Sequence, residues 1–157
     1  MRALSLTQPW ATLLATKAKR FETRGWATNL REIVAIHAAK AFPDDCRELC
    51  LTPVFSKALR AGGVEKLGDV PRGAIIGTGR IVACYSTTGL SVAEALAGVG
   101  FDRSLAEQER AFGNYAPGRY AFVFSDVIAL AQPIPCKGAL GLWTVPPEIE
   151  AQIRSAA

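Results

Sequence analysis

The sequence predicts an α+β fold, a curved or closed sheet with helices on its flanks, rather than a doubly wound α/β sheet. Strand-like segments outnumber helical ones, and the two kinds do not follow a regular βαβ alternation. The strongest strand, Arg119 to Ala131, carries Tyr-Ala-Phe-Val-Phe near its start, an aromatic and β-branched run suited to a pleated core. With 157 residues, half of them apolar, the chain has the size of a single domain spanning 1–157 and can bury a core without metal or disulfide staples.

Taken in order, residues 2 to 6 read as a short strand, and Thr7 is placed to cap a helix with Pro9 in its first turn that runs to about Thr16. Residues 20 to 24 alternate, with Phe21 and Thr23 on one face and Glu22 and Arg24 on the other. Residues 32 to 38 form a β-branched run expected to be buried on both faces. Helical spacing in Cys46, Leu49, Cys50, Phe55 and Leu59 marks Pro43 to about Leu59 as helix, split or kinked at Pro53 and stopped by Ala61-Gly62-Gly63. Residues 64 to 72 are a polar connector. Residues 73 to 86 are a strand interrupted by Gly77-Thr78-Gly79, which reads as a bulge because Val82 stands where a phosphate loop needs its third glycine. Glu94 to Phe112 supplies one or two short helices. Pro133 and Pro135 should break the strand begun at Arg119, before a last strand near Leu142 to Val145 and a terminal helix from Pro146-Pro147. There is no internal repeat, low-complexity tract or linker.

The formal charge is +4, but residues 1 to 31 hold Arg2, Lys17, Lys19, Arg20, Arg24 and Arg31 against the single acid Glu22. The remainder carries 12 basic and 13 acidic groups, so the whole excess sits at one end. A clustered excess of this kind attracts phosphate and releases counterions; a solvated helix end explains it equally well from charge alone. Cys46, Cys50, Cys84 and Cys136 form no C-x-x-C pair and lie far in sequence from the lone His37, which excludes a zinc site of ordinary spacing. They read as reduced thiols of a cytoplasmic protein. Neither a signal-peptide core nor a membrane-length apolar run is present, so no membrane partner is expected.

The most informative stretch is Ser5-Leu6-Thr7-Gln8-Pro9-Trp10-Ala11, followed by Lys17-Ala18-Lys19-Arg20-Phe21-Glu22-Thr23-Arg24. It resembles the ASCH family, whose mark is Q-P-W/Y-A, a short helix, then G-x-K-x-x-E-x-R. Lys17 occupies the usual glycine position, where it must either avoid positive φ or bear strain. Ala35-Ile36-His37-Ala38-Ala39-Lys40, Gly73-Ala74-Ile75-Ile76-Gly77 and Pro135-Cys136-Lys137-Gly138-Ala139-Leu140-Gly141-Leu142-Trp143 are similar to stretches of the longer family members. The resemblance implies a small PUA-like β-barrel flanked by α-helices, with a cleft between barrel and helices. It also implies a role among RNA binding, magnesium-dependent RNA cleavage and removal of the acetyl group from N4-acetylcytidine.

Glu22 and Arg24 share a strand face, and Lys19 at the turn can swing into the same space. Such a cluster is costly to desolvate unless mutually satisfied, and is commoner in sites than in cores. Lys19, Glu22, Arg24 and Lys40 are the expected lining of a basic cleft, with Gln8, Trp10, His37 and Lys137 as further ligand contacts. Trp26 and Trp143 are expected to pack on the barrel, and His37 reads more readily as a satisfied core histidine than as a base. In the deacetylating members the motif lysine accepts a proton, a threonine three positions later is the nucleophile and a later glutamate donates a proton. Here these map to Lys19, Glu22 and Glu109, and a carboxylate cannot replace a hydroxyl nucleophile. Thr23, by parity, faces away. For RNA cleavage, cations are on offer but clustered carboxylates for magnesium are not, so no metal or other cofactor is expected unless the chain is a ribonuclease. The leading expectation is binding of RNA or a modified nucleoside. An amidohydrolase, a ribonuclease and a non-catalytic protein-interaction domain stand as alternatives, with no obligate protein partner evident.

Overall fold

The structure is a computed structural model that describes residues 1–156. Six strands form one sheet in the order β2-β5-β4-β3-β1-β6. They are β1 (Arg2–Leu6), β2 (Phe21–Arg24), β3 (Ile33–Ala38), β4 (Ala74–Ser86), β5 (Tyr120–Pro135) and β6 (Leu142–Thr144). Only β1 and β3 run parallel. The sheet curls into a half-barrel, the curvature expected of the chain, while its end strands β2 and β6 do not pair with each other.

The curl comes from β4 and β5. Their ladder shifts register between Ile75 and Gly77, between Thr78 and Arg80, and between Ile81 and Ala83, and each bulge adds bend and twist. Glycine is required there: a Cβ on Gly77 would come within 2.7 Å of the Ile128 carbonyl oxygen. The expected Gly77-Thr78-Gly79 bulge is therefore the place where β5 lies close against β4.

Six helices flank the sheet: α1 (Trp10–Ala15), α2 (Asp44–Leu51), α3 (Pro53–Ala61), α4 (Val92–Gly98), α5 (Ala106–Phe112) and α6 (Pro147–Ala156). Helix α1 packs across β1, β3, β4 and β5, and its Leu14 joins Ile36, Ile81, Phe122 and Phe124 in the main core. On its other side Leu13 packs with Cys46, Cys50, Phe55, Leu59 and Phe112 from α2, α3 and α5. Cys46 and Cys50 are the two small apolar residues that their spacing suggested, and all four thiols are free.

Two local expectations fail for identifiable reasons, and a third, left open between two outcomes, is decided. Thr7 does not cap α1; the side chain of Gln8 does, its Oε1 accepting from the Thr12 amide at 3.2 Å. Pro133 and Pro135 do not break β5, because β2 pairs only with Tyr120 to Val123 and leaves the later half of β5 free along that side, where a proline costs no ladder bond. Lys17 does not avoid positive φ but adopts φ 64°, the conformation a glycine would hold without cost, and so turns the chain from α1 into β2.

Candidate functional site

The β2 strand carries the charged motif. Lys19 precedes it, and its ammonium donates to the Phe21 carbonyl and to Glu22 Oε2, the latter at 2.6 Å. Arg24 lies on the same face as Glu22, with Nε 3.3 Å from Glu22 Oε1, and its guanidinium also donates to the Ser5 carbonyl on β1. Both oxygens of Glu22 therefore face a cation, one through the Lys19 hydrogen bond and one through ion pairing with Arg24, whose Nε makes no hydrogen bond of its own. One expectation changes: Lys19 is only 1% exposed, so its charge is enclosed under the surface rather than presented to a ligand.

Glu109, 88 residues beyond Phe21 in sequence, is brought to the motif by α5. Its carboxylate accepts from the backbone amides of Arg20 and Phe21, the second at 3.2 Å, and so anchors the start of β2. Burial pushes its pKa up, against the opposing pull of Lys19 and the two amides. Beside it the Tyr115 hydroxyl is buried without a partner. Burial, and then the negative charges of Glu109 and Glu22, drive that phenol's pKa far up, so it is a neutral donor at any physiological pH.

Above this cluster lies a cleft of about 390 Å³ between β2 and the helices, lined by Trp10, Glu22, Thr23, Phe55, Asn114 and Arg119 among others. Trp10 is held by its Nε1, which donates to the Phe112 carbonyl at 2.7 Å, and it meets Phe55 edge to face. Arg119 bridges the walls, donating to the Asn114 and Thr23 carbonyls, each at 3.2 Å. Thr23 lines this cleft although strand parity placed it away from Glu22: the chain from Gly113 to Arg119 folds over the edge of β2, and the Asn114 amide donates to Thr23 Oγ1 at 3.1 Å.

The remaining candidates gather elsewhere. His37, Lys40 and Lys137 line a second cleft, of about 740 Å³, with Ser5, Gly73, Cys136, Gly138 and Leu140, at the end of the sheet where β1 and β3 finish. Lys40 is thus separated from the Lys19, Glu22 and Arg24 group it was expected to join. Gln8 enters neither cleft; it is fully buried, and while Oε1 caps α1 its Nε2 donates to the Pro71 carbonyl at 2.7 Å. Trp26 packs edge to face on Phe122 in the core. His37 is buried as the sequence reading expected, 2% exposed with a polar partner at each ring nitrogen, yet it also lines the second cleft.

Sequence reasoning passed over Arg119 and Asn114, which reach the first cleft through the fold of a loop that no periodicity describes, and Tyr115, buried beside Glu109. It also passed over Ser5, although Ser5 heads the Gln8-Pro9 motif. Among the described residues no three His, Cys, Asp or Glu side chains converge to hold a metal ion. The nearby carboxylates, Glu22 and Glu109, are taken up by cations and backbone amides, so the site does not fit a bound magnesium. No helix among the described residues is long and apolar enough to cross a membrane.

The family model of the ASCH domain matches residues 4–133. The chain belongs to the ASCH domain family. Activating signal cointegrator 1 of Homo sapiens is 27% identical over 148 residues, and that of Mus musculus 26%; the match takes in 93% of this chain and 22% of each relative. The chain therefore spans about a fifth of the length of these curated relatives. Among solved structures, that of ASCH from Zymomonas mobilis superposes with a TM-score of 0.53 at 15% identity, covering 98% of this chain and 93% of the other. A single-substitution variant of the same protein gives 0.53 at 16% identity, covering 98% and 96%. At these identities the likeness speaks for the fold alone. The ASCH match includes Lys19, Glu22, Arg24, Glu109 and Arg119, and it ends before the Cys136–Gly141 loop that closes the second cleft.

Proposed function

We propose that this ASCH chain binds single-stranded RNA and takes one unpaired nucleotide into the cleft between β2 and the helices. One observation carries the reading: the carboxylate of Glu22, clamped between Lys19 and Arg24, lines a cleft of about 390 Å³ that is walled by Trp10 and Phe55. That volume suits a nucleoside-sized ligand. The rings offer apolar faces against a base, as in aromatic platforms for unpaired nucleotides. Glu22 has lone pairs left after its two ion pairs, and it accepts from an exocyclic amine or ring N–H. Arg119 at the mouth offers a cation to the adjoining phosphate.

Recognition accounts for these residues better than catalysis does. As a proton acceptor Lys19 would have to give up Glu22, and Glu109 would have to release two backbone amides to act as an acid. We expect no deacetylation of N4-acetylcytidine, and no RNA cleavage with or without magnesium, above a protein-free control. The binding test is fluorescence anisotropy with a labelled single-stranded RNA. Glu22→Gln should weaken binding by about tenfold, in line with about 1–3 kcal/mol for a specific base contact, and Arg119→Ala should weaken it and lessen its salt dependence, as the loss of a phosphate contact does. Undetectable binding at low salt, or binding unchanged in the double variant, overturns the reading.

A further inference from the structure

The second cleft contains a hydrogen-bond network that is one proton short. Ser5 Oγ has a single hydrogen and three partners at 3.0 Å: His37 Nδ1, the Ala139 carbonyl and Trp143 Nε1. The indole only donates. The Ser5 hydrogen must therefore go either to Ala139 or to His37. On the other side of the ring, His37 Nε2 faces the Cys136 carbonyl at 3.0 Å, and since that oxygen only accepts, Nε2 must carry a hydrogen. A neutral imidazole then has a bare Nδ1, and either this nitrogen or the Ala139 oxygen is left without a donor. An imidazolium satisfies every member at once. Nε2–H donates to Cys136, Nδ1–H to Ser5, and Ser5 to Ala139, while the indole N–H also reaches Ser5.

Two carbonyls of this network, those of Cys136 and Ala139, belong to the loop that covers the cleft. The loop lies directly on the ring: a Cβ on Gly138 would sit 2.3 Å from His37 Cε1, so only glycine allows that approach. The cleft is lined by Lys40 and Lys137, with no carboxylate among its walls. The groups that bear on His37 from each packed element are few. They are Ser5 of β1, Trp143 of β6, Lys40 beyond β3, Gly73 before β4, and Cys136 and Lys137 after β5. Arg24 of β2 reaches the backbone of Ser5, and Glu148 of α6 acts on the Cys136 thiol. Burial holds the imidazole below its ordinary pKa, against the opposing pull of the Cys136 carbonyl, so the empty cleft favours the neutral, incompletely bonded ring.

We propose that the cleft at the ends of β1 and β3 is a site for a phosphate ester, and that its occupation is coupled to proton uptake by His37. An anion between Lys40 and Lys137 supplies the negative charge that the imidazolium lacks, and the imidazolium completes the bonds that hold the loop closed. A volume of about 740 Å³ exceeds what a bare phosphate needs, and Ala39, Ala41, Ala139 and the nearly fully exposed Leu140 offer apolar surface to the ester's organic part. This inference stands on a cleft separate from the one beside β2.

His37 is the chain's only histidine, so its ring signals in ¹⁵N-labelled full-length protein are unambiguous. Sulfate serves as the probe because it stays a dianion throughout the titration. Saturating sulfate should raise the His37 midpoint by about one pH unit or more, which is about tenfold tighter sulfate binding to the imidazolium form than to the neutral one. Lys40→Ala with Lys137→Ala should abolish the shift, and His37→Asn should make the residual sulfate affinity independent of pH. An unmoved midpoint, or unchanged sulfate affinity in the double lysine variant, overturns the proposal. Displacement of sulfate by an RNA oligonucleotide without terminal phosphates assigns the ester to a phosphodiester chain, and displacement by a 5′-mononucleotide alone assigns it to a free phosphomonoester. Displacement by neither also overturns it. Arg119→Ala touches no residue of this cleft, so its sulfate titration separates a failure here from a failure of the RNA reading.

Discussion

At the residue scale, the motif lysine turns out to be a structural cation. Lys19 has its ammonium enclosed, donating to Glu22 and to a backbone carbonyl, and truncating it strands a buried carboxylate beside Glu109. Breaking a buried pair from one side typically costs about 3–5 kcal/mol, whereas replacing both partners with apolar residues costs far less. Lys19→Met should therefore lower stability by about 3–5 kcal/mol in urea denaturation. Lys19→Met combined with Glu22→Leu should recover a large part of that loss. If the double variant is no better than the single one, the penalty lies in lost packing rather than in the stranded charge. The functional consequence is practical: a Lys19 or Glu22 variant that loses RNA affinity reports on folding as much as on contact, and Arg119 is the more direct probe. Alternation in the sequence puts Glu22 and Arg24 on one face of β2, and Lys19 in the turn before it is within reach of them. The sequence could not show that Lys19 is closed off, because that depends on Glu109 and Tyr115 arriving from α5 and the loop after it.

At the scale of elements, the turn between α1 and β2 is where this chain departs from its family's pattern. Lys17 holds φ 64° in the position of the usual glycine. The left-handed conformation costs a non-glycine residue about 1–2 kcal/mol, while glycine adds about 0.4–1 kcal/mol of unfolded-state entropy to be lost on folding. The first effect is the larger, so Lys17→Gly should stabilise the protein by about 0.5–1 kcal/mol, visible as a rise in thermal midpoint. A fall would mean that the lysine side chain contributes contacts beyond its backbone. Most elements were legible for the same kind of local reason: alternation in β2, β-branched residues in β3, and a proline that divides α2 from α3. The continuation of β5 through Pro133 and Pro135 was not, because a proline is tolerated or excluded according to what pairs on its N–H side, and that is set by how short β2 is. The cap of α1 by Gln8 was hidden likewise, since it depends on Pro71 holding the amide from the far side.

At the scale of the whole molecule, the positive excess in residues 1 to 31 pointed to one basic pocket, and folding divides it. Lys19 and Arg24 go to Glu22, and the lysines at the strand-end cleft, Lys40 and Lys137, come from later segments joined by the convergence of β3 and β5 at one end of the sheet. Each cleft also has a buried titratable group beside it, and the two have opposite signs. His37 is held below its ordinary pKa, so from that ordinary value down to the folded one the unfolded chain binds more protons and stability falls as pH falls. Glu109 is held above its ordinary pKa, so between the unfolded and folded values the native chain binds more protons and stability falls as pH rises. The two slopes oppose each other across mildly acidic pH, and each is limited to about 1.4 kcal/mol per pH unit for a single proton. The wild-type profile alone therefore hides both. Denaturation of wild type and His37→Asn from pH 7 to pH 4.5 should give a difference curve in which the wild type's advantage shrinks steadily below about pH 6.5. The same measurement with Glu109→Gln should give a difference of opposite slope, the wild type gaining on the variant as pH falls. Adding sulfate should flatten the first curve and leave the second unchanged, because the anion acts only at the cleft that contains His37. A sulfate effect of equal size on both curves would mean general ionic stabilisation rather than a site at the strand ends.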